Sequence, residues 1–438
     1  MSIGALLQIA AYGVPQMIVG RIIAGIGNGI NTSTAPVWQG ETSQTKWRGK
    51  LVVVELVLNV AGYSLSNWIN LAFSFLSGGV SWRFPLAFQF VFIIILFATV
   101  PWLPESPRWL ASHNRTDEAR KIIADLERKD INDAYTITQY SEIVAAIDYE
   151  REHSVSWGEL LRGQAGDQSG TCAIRRILLG MGAQAIQQLS GINVTSYYLP
   201  TVLMQSVGLG NTLARILTAC NSVSYLIAAS FTIPCLERWG RRRIMMVCTF
   251  GQFICYVLIT ILLRFNEKPG YPHQTEVASA SIAFFFLYYV FFGFGLQGTT
   301  WLLPVELNSL SMRTKGAALG TATNWALNFM VVEVTPIGIE NLGWRFYIIW
   351  TVFNFCFVPI VYLFYPETAN RTLEDIDRFF RDNNDILVFR NPEAIGVARP
   401  ARYAEIEQSH VDTNAAVSVA KKTEVADDLG MAEEHERV

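Results

Sequence analysis

The sequence predicts an all-α, polytopic membrane protein built of two parallel repeats, and three observations predict it. The first is composition: of 438 residues, 51% are hydrophobic, 12% aromatic and only 16% charged, whereas a soluble domain carries charge on about a quarter of its residues. The second is a series of apolar stretches close to the length of about 20 residues that a helix needs to cross a bilayer. The third is a cassette written twice, about 265 residues apart. Glu41 and Arg48 recur as Glu306 and Arg313, and Trp82-Arg83-Phe84 with Pro104-Glu105-Ser106 recurs as Trp344-Arg345-Phe346 with Pro366-Glu367-Thr368. The Trp-to-Pro spacing is 22 in both copies. A repeat with several membrane-length segments per copy is too long for a solenoid unit and suits a transporter of two parallel halves.

The apolar runs fall, in order, at 14–37, 51–76, 84–103, 173–206, 212–236, 244–264, 281–305, 316–339 and 345–365, with 2–12 a stunted tenth. Two segments read as soluble. Residues 104–172 hold amphipathic stretches: Ala119, Ile122, Ile123 and Leu126 follow helical spacing, and Ser156-Trp157-Gly158-Glu159 has the form of a capping box. Residues from about 381 to 438 are short of aromatics and rich in Ala, Glu, Asp and Lys, which predicts a mostly disordered tail. The expected organisation is therefore a first bundle over 1–103, a helical linker over 104–172, a second bundle over 173–365 and a tail over 366–438. Lys46, Arg48, Lys50, Arg238, Arg241, Arg242, Arg243, Arg313 and Lys315 share one side, while Ser77-Gly78-Gly79 and Gly208-Leu209-Gly210 connect the other. The positive-inside rule puts the basic side, the linker and the tail in the cytoplasm.

Several functions are disfavoured at once. A net charge of −3, with the charges in loops, gives no surface for nucleic acid. The six cysteines, Cys172, Cys220, Cys235, Cys248, Cys255 and Cys356, are scattered in or beside apolar runs and read as small buried hydrophobes, not disulfides or a metal site. No metal-ligand spacing or nucleophile elbow occurs, so no enzyme, cofactor or metal is expected. Gly293-Phe294-Gly295-Leu296-Gln297-Gly298 fits the dinucleotide-loop pattern, but it lies in an aromatic membrane-length run and reads as close helix packing. The sequons at Asn31 and Asn193 are embedded in apolar spans. No signal peptide is expected ahead of the first span.

Pro104-Glu105-Ser106-Pro107-Arg108-Trp109-Leu110, Gln187-Gln188-Leu189-Ser190-Gly191-Ile192-Asn193, Glu237-Arg238-Trp239-Gly240-Arg241-Arg242 and Pro366-Glu367-Thr368 together resemble the signatures of the sugar porter family of the major facilitator superfamily, in fungal wording. The resemblance covers residues 1 to about 380. It implies two six-helix bundles that bind a sugar or polyol midway across the membrane and move it by alternating access, as proton symporters or as uniporters. It also implies that this chain begins inside the third helix, because the first-half mate of the 237–242 motif would fall before Met1. By resemblance, Arg21 matches the fourth-helix Arg that pairs, in proton-coupled members, with a first-helix Asp. Arg21 sits in an otherwise apolar run, where an unpaired charge costs a few kcal/mol or more; Glu55 and Glu333 are the clearest intramembrane acids besides.

A sugar is a ring of hydroxyls with an apolar face, so its site needs neutral amides and aromatics in a partly wet cavity. Gln187, Gln188 and Asn193 are read as lying on one helix, and by resemblance they are the seventh-helix ligands. Trp301, Asn324 and Asn328 match tenth- and eleventh-helix positions, and Asn221 or Tyr225 the eighth. The alternative for each intramembrane Asn is a bond to a neighbouring helix. Leu56 and Gly293 stand where many hexose or glucose carriers place a Gln and an acid, which moves the first-half contribution to Asn59 or Asn67 and leaves the substrate open. Glu41 with Arg48 and Glu306 with Arg313 are expected to pair across a turn. Together with Glu105, Arg108, Glu237, Arg241, Arg242, Glu367 and Arg371 they would form a cytoplasmic network holding the bundles together in the outward-facing state. For lone arginines the topology-signal reading is preferred; for the duplicated Glu–Arg pairs the network is, since topology needs no carboxylate. The expected function is secondary transport of a sugar or polyol, proton-coupled, by a plasma-membrane monomer. The alternatives are a non-transporting sugar sensor and an inactive truncated product.

Overall fold

The structure is a computed structural model, and it describes residues 1–43, 48–152, 156–161, 172–309, 312–371, 373–383, 385–403 and 405. Every regular element among them is helical. The first half holds α1 (Ser2–Ile9), α2 (Val14–Glu41), α3 (Arg48–Phe73) and α4 (Val80–Thr99). The linker follows with α5 (Pro107–Ser112), α6 (Thr116–Glu127), α7 (Ala134–Glu152) and α8 (Trp157–Leu161). The second half runs through α9 (Ala173–Leu189), α10 (Ile192–Gln205), α11 (Asn211–Trp239), α12 (Arg241–Asn266), α13 (Gln274–Phe291), a π turn (Phe292–Leu296), α14 (Gln297–Leu307), α15 (Arg313–Leu342) and α16 (Phe346–Phe364). The tail adds α17 (Leu373–Asp382) and α18 (Pro392–Ile395).

Apolar periodicity decides which faces are covered. On α2, Ile18, Ile22, Ile26 and Ile30 recur at four-residue spacing and all are exposed, so the described residues leave this apolar stripe uncovered. Among the described residues, five continuous helical stretches are long and apolar enough to span a bilayer by length and composition: Val80–Trp102, Asn211–Trp239, Arg241–Asn266, Gln274–Leu307 and Arg313–Phe364. The last contains two of the expected runs. The expected single run over 173–206 is in fact two helices of 17 and 14 residues, because the chain breaks at Ser190-Gly191, where Gly191 takes φ +93°. Gly293-Phe294-Gly295 forms the π turn, and a Cβ on Gly293 would meet the Tyr225 ring while one on Gly295 would meet Cys248 Sγ. These glycines serve close helix approach, as the sequence suggests.

The halves meet along α3. Val60 packs into the second half's core, Ser64 Oγ lies 3.0 Å from Ser222 Oγ, and Tyr63 Oη donates to the Ser196 carbonyl at 3.2 Å. In the linker, Leu110, Ala111, Ala119 and Ile147 form a small core, with Ile122 packed against it. The capping box forms as expected: Glu159 N donates to Ser156 Oγ at 3.2 Å, and Ser156 N to Glu159 Oε2 at 2.9 Å. That amide bond holds the Glu159 carboxyl below its ordinary pKa.

Two expectations need correction. Within the stretch expected to be disordered, Val388, Ala394 and Tyr403 are buried beside α17, whose Ile376, Phe379 and Phe380 pack into the second half's core. The remainder of the expected disordered stretch, 406–438, lies outside the described residues. The cysteines are all free, but only Cys248 and Cys255 are buried; Cys220 and Cys356 are exposed on α11 and α16, because their positions fall on helix faces that pack against no other described element.

Candidate substrate site and linker-end charges

The break between α9 and α10 builds the candidate site. It corrects the reading of Gln187, Gln188 and Asn193 as one helix: the two glutamines end α9, and Asn193 sits in the first turn of α10. A broken helix frees backbone carbonyls, which within a membrane are tolerated only when other groups bond them. Here Tyr256 Oη donates to Gly191 O at 3.1 Å, while Tyr288 Oη and Asn354 Nδ2 donate to Ser190 O at 3.1 and 3.0 Å.

Around the break, buried amides form one chain of hydrogen bonds. Gln184 Nε2 donates to the Thr300 carbonyl at 3.0 Å. A carbonyl only accepts, so Gln184 must turn its oxygen the other way. That oxygen accepts from Asn324 Nδ2 at 2.7 Å, and Asn324 Nδ2 also donates to Gln187 Oε1 at 2.7 Å. Gln188 Nε2 donates to Asn324 Oδ1 at 3.1 Å, and Asn193 Nδ2 donates to Gln188 Oε1. Four expected site residues, Gln187, Gln188, Asn193 and Asn324, thus converge, and Gln184 joins them unforeseen. Its signal was its place one turn before Gln187 and Gln188, on the same face of α9.

A second polar group lies on α11 and α14. Asn221 is buried, and one turn on Tyr225 Oη donates to Gln297 Oε1 at 2.8 Å. Gln297 was also missed; it lies one turn before the half-buried Trp301 on α14. The Tyr225 ring meets Tyr63 and Tyr289 edge-on, with centroids 6.1 and 5.5 Å away. Asn328 is half-buried one turn beyond Asn324. Of the first-half candidates, Asn59 is exposed, while half-buried Asn67 donates through Nδ2 to the Tyr63 carbonyl of its own helix at 2.9 Å. Tyr63 and Ser64, one turn before Asn67 on the same face of α3, make the contacts to the second half. Arg21 is exposed on α2 and makes no ion pair among the described residues. Glu55 is half-buried and Glu333 exposed.

The duplicated cassette repeats in three dimensions. Ser106 Oγ donates to Glu41, and its counterpart Thr368 Oγ1 donates to Glu306 at 2.6 Å. Glu105 Oε1 accepts from Ser106 N at 3.2 Å, as Glu367 Oε1 does from Thr368 N at 3.0 Å. Glu367 is wholly buried and also accepts from Arg241 N and Arg242 N at 2.8 and 3.1 Å. It therefore caps the N-terminus of α12, where unpaired amides and the helix dipole favour a carboxylate. Gly240 makes this approach possible, since a Cβ there would lie 2.2 Å from Glu367 Oε2. Arg241 Nη2 pairs with Glu306 at 3.1 Å, and Arg242 Nη2 donates to the Tyr362 carbonyl at 2.6 Å. The expected Glu306–Arg313 pair is replaced by Glu306 with Arg241 and Thr368, because Glu306 faces the turn at Gly240. The side chain of Arg48 lies outside the described residues. Arg108 sits in the first turn of α5, and Glu237 gives its carbonyl to Asn370 Nδ2 at 3.2 Å. The bonds of Glu41, Glu105, Glu306 and Glu367 all stay within their own half, so these carboxylates brace each bundle end and do not join the two in this conformation.

Among the described residues no group of His, Cys, Asp and Glu is placed to hold a metal ion. A family model described as "Sugar (and other) transporter" matches residues 1–380. Among curated proteins, the chain is 54% identical over 422 residues to the MFS-type transporter oryC of Aspergillus oryzae, covering 96% of this chain and 77% of that protein. It is 34% identical to the sugar transporter STL1 of Saccharomyces cerevisiae, covering 86% of this chain and 65% of STL1. Among solved structures, the fold is similar to that of the proton:xylose symporter XylE of E. coli bound to 6-bromo-6-deoxy-D-glucose, with a TM-score of 0.69 at 22% identity, covering 86% of this chain and 79% of XylE.

Proposed function

The chain belongs to the sugar (and other) transporter family of the major facilitator superfamily, and on that premise we propose that it moves a sugar or polyol across a membrane by alternating access, coupled to protons. It is an integral membrane protein of a transporter family, not an enzyme. The observation that carries the reading is the amide chain of Gln184, Gln187, Gln188, Asn193 and Asn324 at a broken helix. Neutral donors and acceptors held on both sides of a helix break suit a ring of hydroxyls and carry no charge that a neutral solute would leave unpaired. Asn221, Tyr225, Gln297, Trp301 and Asn328 extend the site, and Arg21 serves proton coupling. The proposed organisation is the first bundle to 103, the linker to 172, the second bundle to 365 and then the tail. The linker end faces the cytoplasm of a plasma-membrane monomer.

Uptake kinetics in a transporter-null yeast test the site. Gln187→Ala and Asn193→Ala each leave substrate hydroxyls without partners, at about 1–3 kcal/mol per lost bond. Apparent affinity should fall about tenfold in each, at wild-type surface amounts. Unchanged kinetics in both would reject the assignment. Uptake that collapses with a protonophore supports coupling, and sugar binding without uptake in the parent would turn the reading to a sensor.

The bundle-end charges act on cycling. Glu306→Gln weakens the brace formed with Arg241 without touching the amide cluster. Equilibrium sugar binding should remain within about twofold while the maximal uptake rate drops at least about fivefold, because only the balance between conformations changes. Full-rate transport would reduce the pair to a structural contact.

A further inference from the structure

We propose that Tyr256, Tyr288 and Asn354 are positioning residues that set the angle of the α9–α10 break and, through it, the affinity of the site for its solute. The proposal rests on the amide cluster being the substrate site. The break separates Gln187 and Gln188 from Asn193, so the distance between the two sides of the site depends on how the chain turns at Ser190-Gly191. That turn carries two carbonyls that side chains of other helices reach. Both are held from outside: Tyr256 of α12 holds Gly191 O, and Tyr288 of α13 and Asn354 of α16 share Ser190 O. All three side chains are fully buried, so water offers these carbonyls no substitute. The clamp is itself braced. Asn354 Nδ2 also donates to the Trp350 carbonyl at 2.8 Å, and the Tyr256 and Tyr288 rings meet at 4.9 Å between centroids. None of the three hydrogen-bonds to the amides, so each acts on the solute by fixing where Asn193 stands relative to Gln188.

Three carbonyl-to-side-chain bonds from three helices over-determine a two-residue turn, which is the arrangement expected of a pre-organised site and not of a loop that must merely be solvated. Losing one bond should leave the helices in place but widen the range of angles at the break.

The test uses the full chain with Tyr256→Phe, Tyr288→Phe and Asn354→Leu, and Tyr347→Phe as control. Tyr347 is equally buried, and its hydroxyl lies 3.4 Å from Ser206 Oγ at the far end of α10. D-glucose and D-xylose uptake, normalised to surface protein, gives KM and maximal rate. Hydrogen exchange over 187–198 in purified protein reports the break without any solute. The positioning role predicts a KM raised about fivefold with maximal rate within twofold for the hinge variants. It also predicts exchange over 187–198 faster by at least about threefold, with the control unmoved in both. Should Asn354→Leu fail to reach the membrane, the two Phe variants decide. Unchanged KM and unchanged exchange in both Phe variants would overturn the proposal while leaving the site standing, provided Gln187→Ala and Asn193→Ala still lose affinity. If those two are also silent, the site reading falls and takes this one with it. If neither sugar is transported by the parent, the exchange result alone decides. An equal shift in Tyr347→Phe would make the effect a general loss of packing and likewise overturn it.

Discussion

Replacing Glu367 with alanine should abolish uptake and lower the melting temperature of the purified protein more than any other single change at the linker end. The carboxylate is fully buried and accepts from four backbone amides, those of Arg241, Arg242, Thr368 and Ala369. Two of these are the unpaired first amides of α12, so alanine leaves the positive end of a membrane helix uncapped in a dry site. Leaving a buried amide without its acceptor costs about 1–3 kcal/mol. Glu367→Gln keeps one accepting oxygen and should fall between the two. Differential scanning fluorimetry in detergent reads the order directly, and a wild-type melting temperature for the alanine variant would dismiss the capping role.

Gly191→Ala should raise the KM for uptake at least about tenfold, for two separable reasons. An alanine at φ +93° pays about 1–2 kcal/mol for the left-handed conformation. Its Cβ would also lie 2.4 Å from Tyr256 Oη and 3.3 Å from Trp350 Cδ2, so the hydroxyl that holds the Gly191 carbonyl has to leave. Gly208→Ala isolates the first cost, since Gly208 has φ +82° and open space around its missing Cβ. Uptake should survive Gly208→Ala nearly intact. Equal losses in the two variants would mean that backbone strain, not the crowding at the break, controls transport.

The repeat, the two-half architecture and most of the amide site could be read from the residues, because cassette spacing and intramembrane amides are local features. The break in α9–α10 could not. The groups that hold it open are 65, 98 and 164 residues away. Gln184 was missed because one glutamine among alanines and isoleucines gives no sign of its carbonyl anchor at Thr300, 116 residues on. For the charges, the seven-residue spacing from Glu306 to Arg313 suggested a local pair, but Glu306 turned toward Arg241, which only the closure of the second half brings near. The tail was misread for a compositional reason: averaged over 381–438 it is polar, yet the order comes from a few residues, Val388, Ala394 and Tyr403, that dock beside α17.

The anchoring of α9 by the tail has a consequence for how the protein is made. Arg176, wholly buried at the start of α9, donates to the Leu307 carbonyl and pairs with Asp377, and these partners lie 131 and 201 residues further along the chain. At a synthesis rate of about 5–20 residues per second, Asp377 emerges roughly 10–40 s after Arg176. During that interval the first helix of the second half must wait at the membrane with its cation at the surface, so the second half closes from its end and not from its beginning. Crosslinking nascent chains of stepwise length should therefore find α9 against α15 only once α17 has left the ribosome; contact in chains ending before Asp377 would show that the bundle assembles in order of synthesis.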